Sequence, residues 1–141
     1  MAAWIALDTN ILVSALRSRR GASYRLLSLV GQGSFDIVLS VPLVLEYESA
    51  TKRQSRQLGL THQDIDDVID YLCSVGIHRQ IYFLWRPYLR NPKDDLVLEV
   101  AVESESDYVI TYNRRDFAGL ERFGLQALAP RPFLELIGEV T

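Results

Sequence analysis

Acids in this chain stand at four places: after the first strand, on an early helix, at the start of a central helix and after a later strand. Asp8 closes the apolar run Trp4-Ile5-Ala6-Leu7 and opens onto Thr9 and Asn10 in "LDTNILVSAL". It is either a site residue or the cap of the helix that starts near Asn10. Glu46 stands in "LVLEYESA". Its neighbour Glu48 has Lys52 four residues on and so has an ordinary ion-pair explanation, whereas Glu46 faces Ala50 and Leu43 and needs a partner elsewhere. Asp94 and Asp95 lead into an apolar helix in "RNPKDDLVLEVA"; the helix dipole accounts for one acid there but not easily for two. Asp116 follows a strand in "ITYNRRDF", where Asn113 is a good N-cap and Asp116, three residues on, nearly completes a capping box. Each acid alone is ordinary. Brought together they would repel one another unless a cation neutralised them. A site of oxygen donors with no His or Cys nearby favours Mg²⁺ or Mn²⁺ over zinc. Such an ion keeps bound water, binds phosphates and stabilises charge on a phosphoryl group. The chemistry within reach of these residues is metal-assisted phosphodiester hydrolysis.

The elements that must position these acids alternate between strand and helix. Strand-like runs occur at 3–7, 35–39, about 79–84, 107–111 and about 124–128. A first helix follows Asn10, and Gly21, Gly31 and Gly33 bracket a second around 22–30. A third begins at Pro42, with Gly59 just past the end of that helical region. The clearest helix is 61–75: Thr61 and Asp64 resemble a capping box, Ile65, Val68, Ile69 and Leu72 form one stripe, and Asp66, Asp67 and Asp70 face water. Another runs from Asp94 to about Glu105, apolar nearly all round, and a short last helix follows Pro132. Alternation of this kind predicts an α/β fold, a three-layer α/β/α domain with a parallel sheet of about five strands. Right-handed crossovers would put the strand C-termini, and the acids, along one edge. The chain, 1–141, reads as one domain without repeats, low-complexity tracts or linkers.

Composition narrows the classes. The chain is 48% hydrophobic and 23% charged, which is globular rather than disordered. Cys73 is the only cysteine, so neither an internal disulfide nor a cysteine-based zinc site is available. His62 and His78 lack metal-ligand spacing. The first residues lack the basic start and long apolar core of a signal peptide, and no stretch approaches the roughly 20 apolar residues that span a bilayer. A cytoplasmic protein with no membrane partner is expected. The net charge is −3, yet 13 of the 15 basic residues are arginine, clustered at Arg17, Arg19 and Arg20, at Lys52, Arg53 and Arg56, and at Arg114 and Arg115. Arginine suits bidentate phosphate contact, although solvated surface charge explains such clusters equally well.

Taken together, "LDTNILVSAL", "LVLEYESA", "NPKDDLVLEVAVESESDYVITYN" and "TYNRRDF" resemble, in order and over nearly the whole chain, the four motifs of PIN-domain ribonucleases, in particular the toxins of VapBC-type toxin–antitoxin pairs. The resemblance implies that Asp8 is the first acid with Asn10 as a supporting polar residue, Glu46 the second, and Asp94 rather than Asp95 the third. It places Thr111 in the fourth motif, with Asp116 as the fourth acid and Asn113 as the alternative ligand. It further implies a Mg²⁺-dependent endoribonuclease, with Mn²⁺ as a substitute, leaving 5′-phosphate and 3′-hydroxyl ends. A homodimer and a small antitoxin protein that blocks the site are implied as well. Two positions depart from the commoner pattern, since Asn91 and Asn113 stand where members often have aspartate.

Rival readings fit less well. A haloacid-dehalogenase-type phosphatase needs a second aspartate two residues after the first, where this chain has Asn10, and a receiver domain needs an acid pair after strand one. No Gly-rich phosphate loop ending in Lys-Ser/Thr and no Gly-x-Ser-x-Gly occurs. The competing reading is a PIN-like binding or scaffold module whose metal site has been weakened.

Overall fold

The computed structural model describes residues 2–81, 89 and 92–139. Five strands form one sheet: β1 (Ala3–Leu7), β2 (Phe35–Leu39), β3 (Ile77–His78), β4 (Tyr108–Ile110) and β5 (Gln126–Leu128), in the spatial order β3-β2-β1-β4-β5. Every pairing is parallel, with Ile5 opposite Ile37 on one side of β1, and Leu7 opposite Ile110 on the other. Seven helices are seen among the described residues: α1 (Thr9–Arg17), α2 (Ala22–Leu29), α3 (Val41–Arg53), α4 (Ser55–Leu58), α5 (His62–Val75), α6 (Pro92–Glu103) and α7 (Pro130–Leu136). Short 3-10 turns at Arg114–Phe117 and Leu120–Phe123 join β4 to β5.

The expected α/β architecture is thus present, and the burial of consecutive residues explains it. Ile5, Ala6 and Leu7, like Ile37, Val38 and Leu39, are all buried, so both faces of these strands are covered. Phe133 of α7 packs edge-on against Phe35 and Tyr108, with ring centroids 5.5 and 5.7 Å apart. The Thr61–Asp64 capping box of α5 forms as expected, Thr61 Oγ1 accepting from the Asp64 amide and Asp64 from the Thr61 amide.

Several boundaries differ from the sequence reading. The helical region after Pro42 breaks at Gln54 into α3 and α4, and Gly59 closes α4 with φ 70°, a left-handed conformation that suits glycine. Among the described residues, no strand covers 79–81 of the run expected at 79–84. The third described strand is the two-residue β3, which follows Gly76, where the end of α5 packs close against Leu39 and a Cβ would meet the Leu39 side chain at 2.6 Å. Arg79–Ile81 lie outside any strand, and the remainder of that expected run lies outside the described residues, as does Asn91. α6 starts at Pro92, whose fixed φ suits a first helical turn, so Asp94 is its third residue and not its first. α7 likewise starts at Pro130, ahead of Pro132.

The strand order locates the site. The chain runs outward from β1 to β2 and β3, then crosses back to β4 and β5, so the direction reverses between β1 and β4. In open parallel sheets the crevice at such a reversal, beyond the strand C-termini, is where ligands bind. Asp8 and Thr111 are the residues that follow those two strands.

Candidate metal centre

Asp8 is 4% exposed and stands at the start of α1, yet its side chain makes no capping bond. Its carboxylate turns to the neighbouring strand end, where Thr111 Oγ1 donates to Oδ2 at 2.7 Å. Thr111 Oγ1 in turn accepts from the Asn113 amide at 2.9 Å, so one buried hydroxyl ties β1 to the loop after β4. The Asp8 amide donates to Ile110 O, and Tyr47 of α3 donates its hydroxyl to Leu7 O, which fixes the strand end from the other side. Burial pushes the Asp8 pKa above its ordinary value. The Thr111 bond and the nearby Thr9 and Asn10 amides act against that shift, while the Asp116 charge adds to it.

Asp94 projects from the first turn of α6, 6% exposed. Its pKa is pushed up to about 7, first by burial and then by the charges of Asp8, Asp116 and Asp95. Asp95 does something else. It is fully buried and its Oδ1 accepts from the Leu89 amide at 2.8 Å, a structural bond that separates it from Asp94. Glu46 comes from α3, a helix started by the Ser40 hydroxyl accepting from the Leu43 amide. The partner that Glu46 needed is supplied by two cations, Arg53 Nη2 and Lys93 Nζ, each 3.8 Å from Oε1. Glu48 takes the expected bond from Lys52, which also pairs with Asp66 at 2.7 Å.

Asp8, Glu46 and Asp94 line one cavity of about 230 Å³, together with Thr9 and Asn10. Among the described residues, three buried side-chain oxygens have no hydrogen-bond partner: Thr9 Oγ1, Glu46 Oε1 and Asp94 Oδ2. All three belong to residues on the wall of this cavity. Buried polar atoms are nearly always paired, so three orphans around one space mark a place that wants a ligand, and oxygen donors of this kind suit a hard divalent cation. Among the described residues, no three His, Cys, Asp or Glu side chains are already gathered to hold an ion. Like charges without a cation do not collapse onto one another, and the charges of Asp8, Asp116 and Asp95 add to the burial that raises the Asp94 pKa. A larger groove, of about 500 Å³, lies by Val41, Pro42 and Ile81 and is lined by no acid among the described residues, so size alone does not locate the chemistry.

The structure does not bring every expected residue onto this wall. Asp116 is half-buried in the 3-10 turn and is not part of it, although its charge acts on both Asp8 and Asp94. Asn113 is the N-cap by position only. It makes no side-chain capping bond, because the turn is closed by the Asp116 amide donating to Asn113 O at 2.9 Å. The capping box expected for this pair is therefore absent. Thr9, Arg53 and Lys93 do not stand out in the sequence as site residues. Arg53 lies seven residues after Glu46 on the same face of the helix, but reads in the sequence as solvated surface charge. Lys93 is adjacent to Asp94. Thr9 gave no signal, because its hydroxyl is notable only for lacking a partner.

A five-stranded parallel sheet with an acid-lined cavity at its switch point defines a class of α/β domain with a candidate cation site. The chain belongs to the PIN-domain family, whose members are generally nucleases: the sequence model of that family matches residues 5–115. Among solved structures, the fold is similar to a chain of the crystal structure of VapBC2 from Rickettsia felis bound to a DNA fragment from its promoter. The TM-score is 0.60 at 18% sequence identity, over 88% of this chain and 98% of that one. No match is found among curated proteins. No helix among the described residues is long and apolar enough to cross a membrane.

Proposed function

We propose that this chain is a Mg²⁺-dependent endoribonuclease that hydrolyses RNA phosphodiester bonds and serves as the toxin of a toxin–antitoxin pair. The observation that carries the reading is the set of three unpartnered buried oxygens around the cavity beside Asp8. Asp8 and Asp94 would hold the metal. Glu46 would complete the set or orient the attacking water, and Asp116 would be the fourth acid, with Asn113 as alternative. When bound, Mg²⁺, or Mn²⁺ in its place, would lower the pKa of a water and offset charge on the phosphate. The chain's own residues supply the setting. Thr111 orients Asp8, Tyr47 holds the backbone before it, and Asp95 keeps Leu89 in place beside the first turn of α6.

Support for the biological role comes from the family and from the structural neighbour, a chain of a VapBC2 complex. A small antitoxin partner, a homodimer and a cytoplasmic location belong to the same reading. The direct experiment is cleavage of single-stranded or looped RNA by the purified chain, with and without Mg²⁺, and with Asp8→Asn as control. Cleavage that needs Mg²⁺, leaves 5′-phosphate ends and disappears in the variant is expected. The position of Asp116 off the cavity wall favours the second reading, a PIN fold retained as a binding module. That reading prevails if the pure protein binds RNA but cleaves none at any Mg²⁺ or Mn²⁺ concentration.

A further inference from the structure

Tyr112 lies between the two residues that tie the end of β4 to Asp8. Before it, the Thr111 hydroxyl donates to the Asp8 carboxylate; after it, the Asn113 amide donates to Thr111 Oγ1. Its backbone is therefore pinned on both sides. Its ring is pinned at the tip as well, because the phenolic hydroxyl shares a hydrogen bond with Ser23 Oγ in the first turn of α2, and Ser23 is buried. Yet Tyr112 is 49% exposed. With its polar end bonded to a buried partner, much of that exposure falls on the ring. A side chain kept only to clamp α2 to the loop gains by burying its ring, since removing apolar area from water is favourable. Here an aromatic face is left open to solvent and held still, one residue from the bond that orients Asp8.

We propose that Tyr112 is the platform on which an unpaired base of the RNA strand stacks, next to the phosphate that is attacked. The inference rests on the nuclease reading and deepens it, since it names the residue that makes the site prefer single-stranded or looped RNA. Unpaired bases expose their flat faces and settle on aromatic side chains, whereas bases inside a duplex are already stacked on their neighbours. Stacking tolerates every base, so the ring selects for an open strand and not for a sequence. A ring fixed at both ends loses little freedom when a base lies on it, and that preorganisation is the part played by Ser23. Tyr112 takes no part in holding an ion, because its hydroxyl is committed to Ser23.

Tyr112→Leu and Tyr112→Gln remove the ring, Tyr112→Phe keeps the ring without the hydroxyl, and Ser23→Ala removes the bond from the other side. Thermal melts check that each folds, and Mn²⁺ is titrated calorimetrically into RNA-free protein. RNA binding is measured in chelator, where the strand stays uncleaved, with three probes of equal length: a single-stranded RNA, the same RNA paired with its complement, and an abasic strand carrying the same phosphates. The ring-free variants should bind the single strand about tenfold more weakly than the parent. Their affinity for the duplex, for the abasic strand and for Mn²⁺ should match the parent's. Tyr112→Phe and Ser23→Ala should stay within about threefold of the parent on the single strand, because the ring remains. Equal losses in all four variants would make the hydroxyl bond the active element and overturn the inference. So would an equal loss on the abasic strand, and so would lost folding or weaker Mn²⁺ binding in both ring-free variants, which would make Tyr112 a clamp for the loop. If the parent itself neither binds nor cleaves RNA, the nuclease reading falls and this inference with it; if the parent cleaves and the ring-free variants bind the single strand equally well, only the inference falls.

Discussion

Thr111 donates its hydroxyl to Asp8 across the reversal point of the sheet, Oγ1 to Oδ2 at 2.7 Å, and the two residues are 103 apart in the chain. That bond is the strongest influence keeping the buried Asp8 carboxyl acidic, against the desolvation that pushes its pKa up. Thr111→Val keeps the shape and removes the donor, and it also removes the acceptor for the Asn113 amide. A loss of about 1–3 kcal/mol in stability is expected. The Asp8 pKa should rise further, so the Mg²⁺ concentration needed for activity should increase, most strongly at low pH. Thr111→Ser should restore both quantities. Chemical denaturation and Mg²⁺ titrations at two pH values check this.

Asp94 and Asp95 are neighbours with opposite roles, and stability in chelator separates them. Asp94 Oδ2 has no partner and its charge is repelled by Asp8, Asp116 and Asp95. Asp94→Asn should therefore melt at the parent's temperature or higher, and Asp8→Asn likewise, while both abolish Mg²⁺-dependent cleavage. Asp95→Ala strands the Leu89 amide and should lower stability by about 1–3 kcal/mol. A marked fall in melting temperature for Asp94→Asn would make Asp94 a structural residue.

The pH dependence has a definite sign. The Asp94 pKa is about 7 in the folded chain against an ordinary 3.8. Between those values the folded state holds a proton that the unfolded chain has released, so stability falls as pH rises. The favourable contribution is complete below the unfolded pKa and lost as pH passes the folded one. Metal-free protein should thus melt at lower temperature near pH 8 than near pH 5, and Asp94→Asn should flatten that slope. Ion binding needs the ionised carboxylate, so apparent Mg²⁺ affinity should climb across the same window. Melts in chelator and Mg²⁺ titrations over this range read both slopes.

Much of this site is legible in the sequence because it is written at element ends. The apolar run before Asp8 and the apolar run after Asp95 mark a strand end and a helix start, and the alternation of elements sends both to one sheet edge. Asp95 could be told from Asp94 only by resemblance, since the Leu89 amide that occupies it is a loop contact without a pattern. The break at Gln54 was hidden because neither a Pro nor a Gly marks it, and the helical residues continue on both sides. The capping role given to Asn113 failed for a specific reason. Propensity favours Asn at a cap, but the bonds of this turn are made by backbone atoms and by Thr111. Arg53 and Lys93 read as solvated charge until the fold brings them to Glu46.

The fourth motif gives the last prediction. Neither Asn113 nor Asp116 caps the turn with its side chain, so the stability cost of about 1 kcal/mol that a lost cap brings should be missing from Asn113→Ala. Asp116→Asn should also fold normally. It removes a charge that raises the Asp8 and Asp94 pKa values, so metal-free protein near pH 8 should become slightly more stable. Its effect on the ion distinguishes a ligand from a bystander. A ligand lost to a neutral amide should raise the Mg²⁺ midpoint by about tenfold or more, whereas a more distant charge shifts it far less. We expect the large shift for Asp116→Asn and a lowered midpoint for Asn113→Asp, which adds a carboxylate beside the site. Activity is titrated against Mg²⁺ for the three variants, with melts run in parallel. A parental midpoint in Asp116→Asn would show that Asp116 takes no part in holding the ion and that the site runs on Asp8, Glu46 and Asp94 alone.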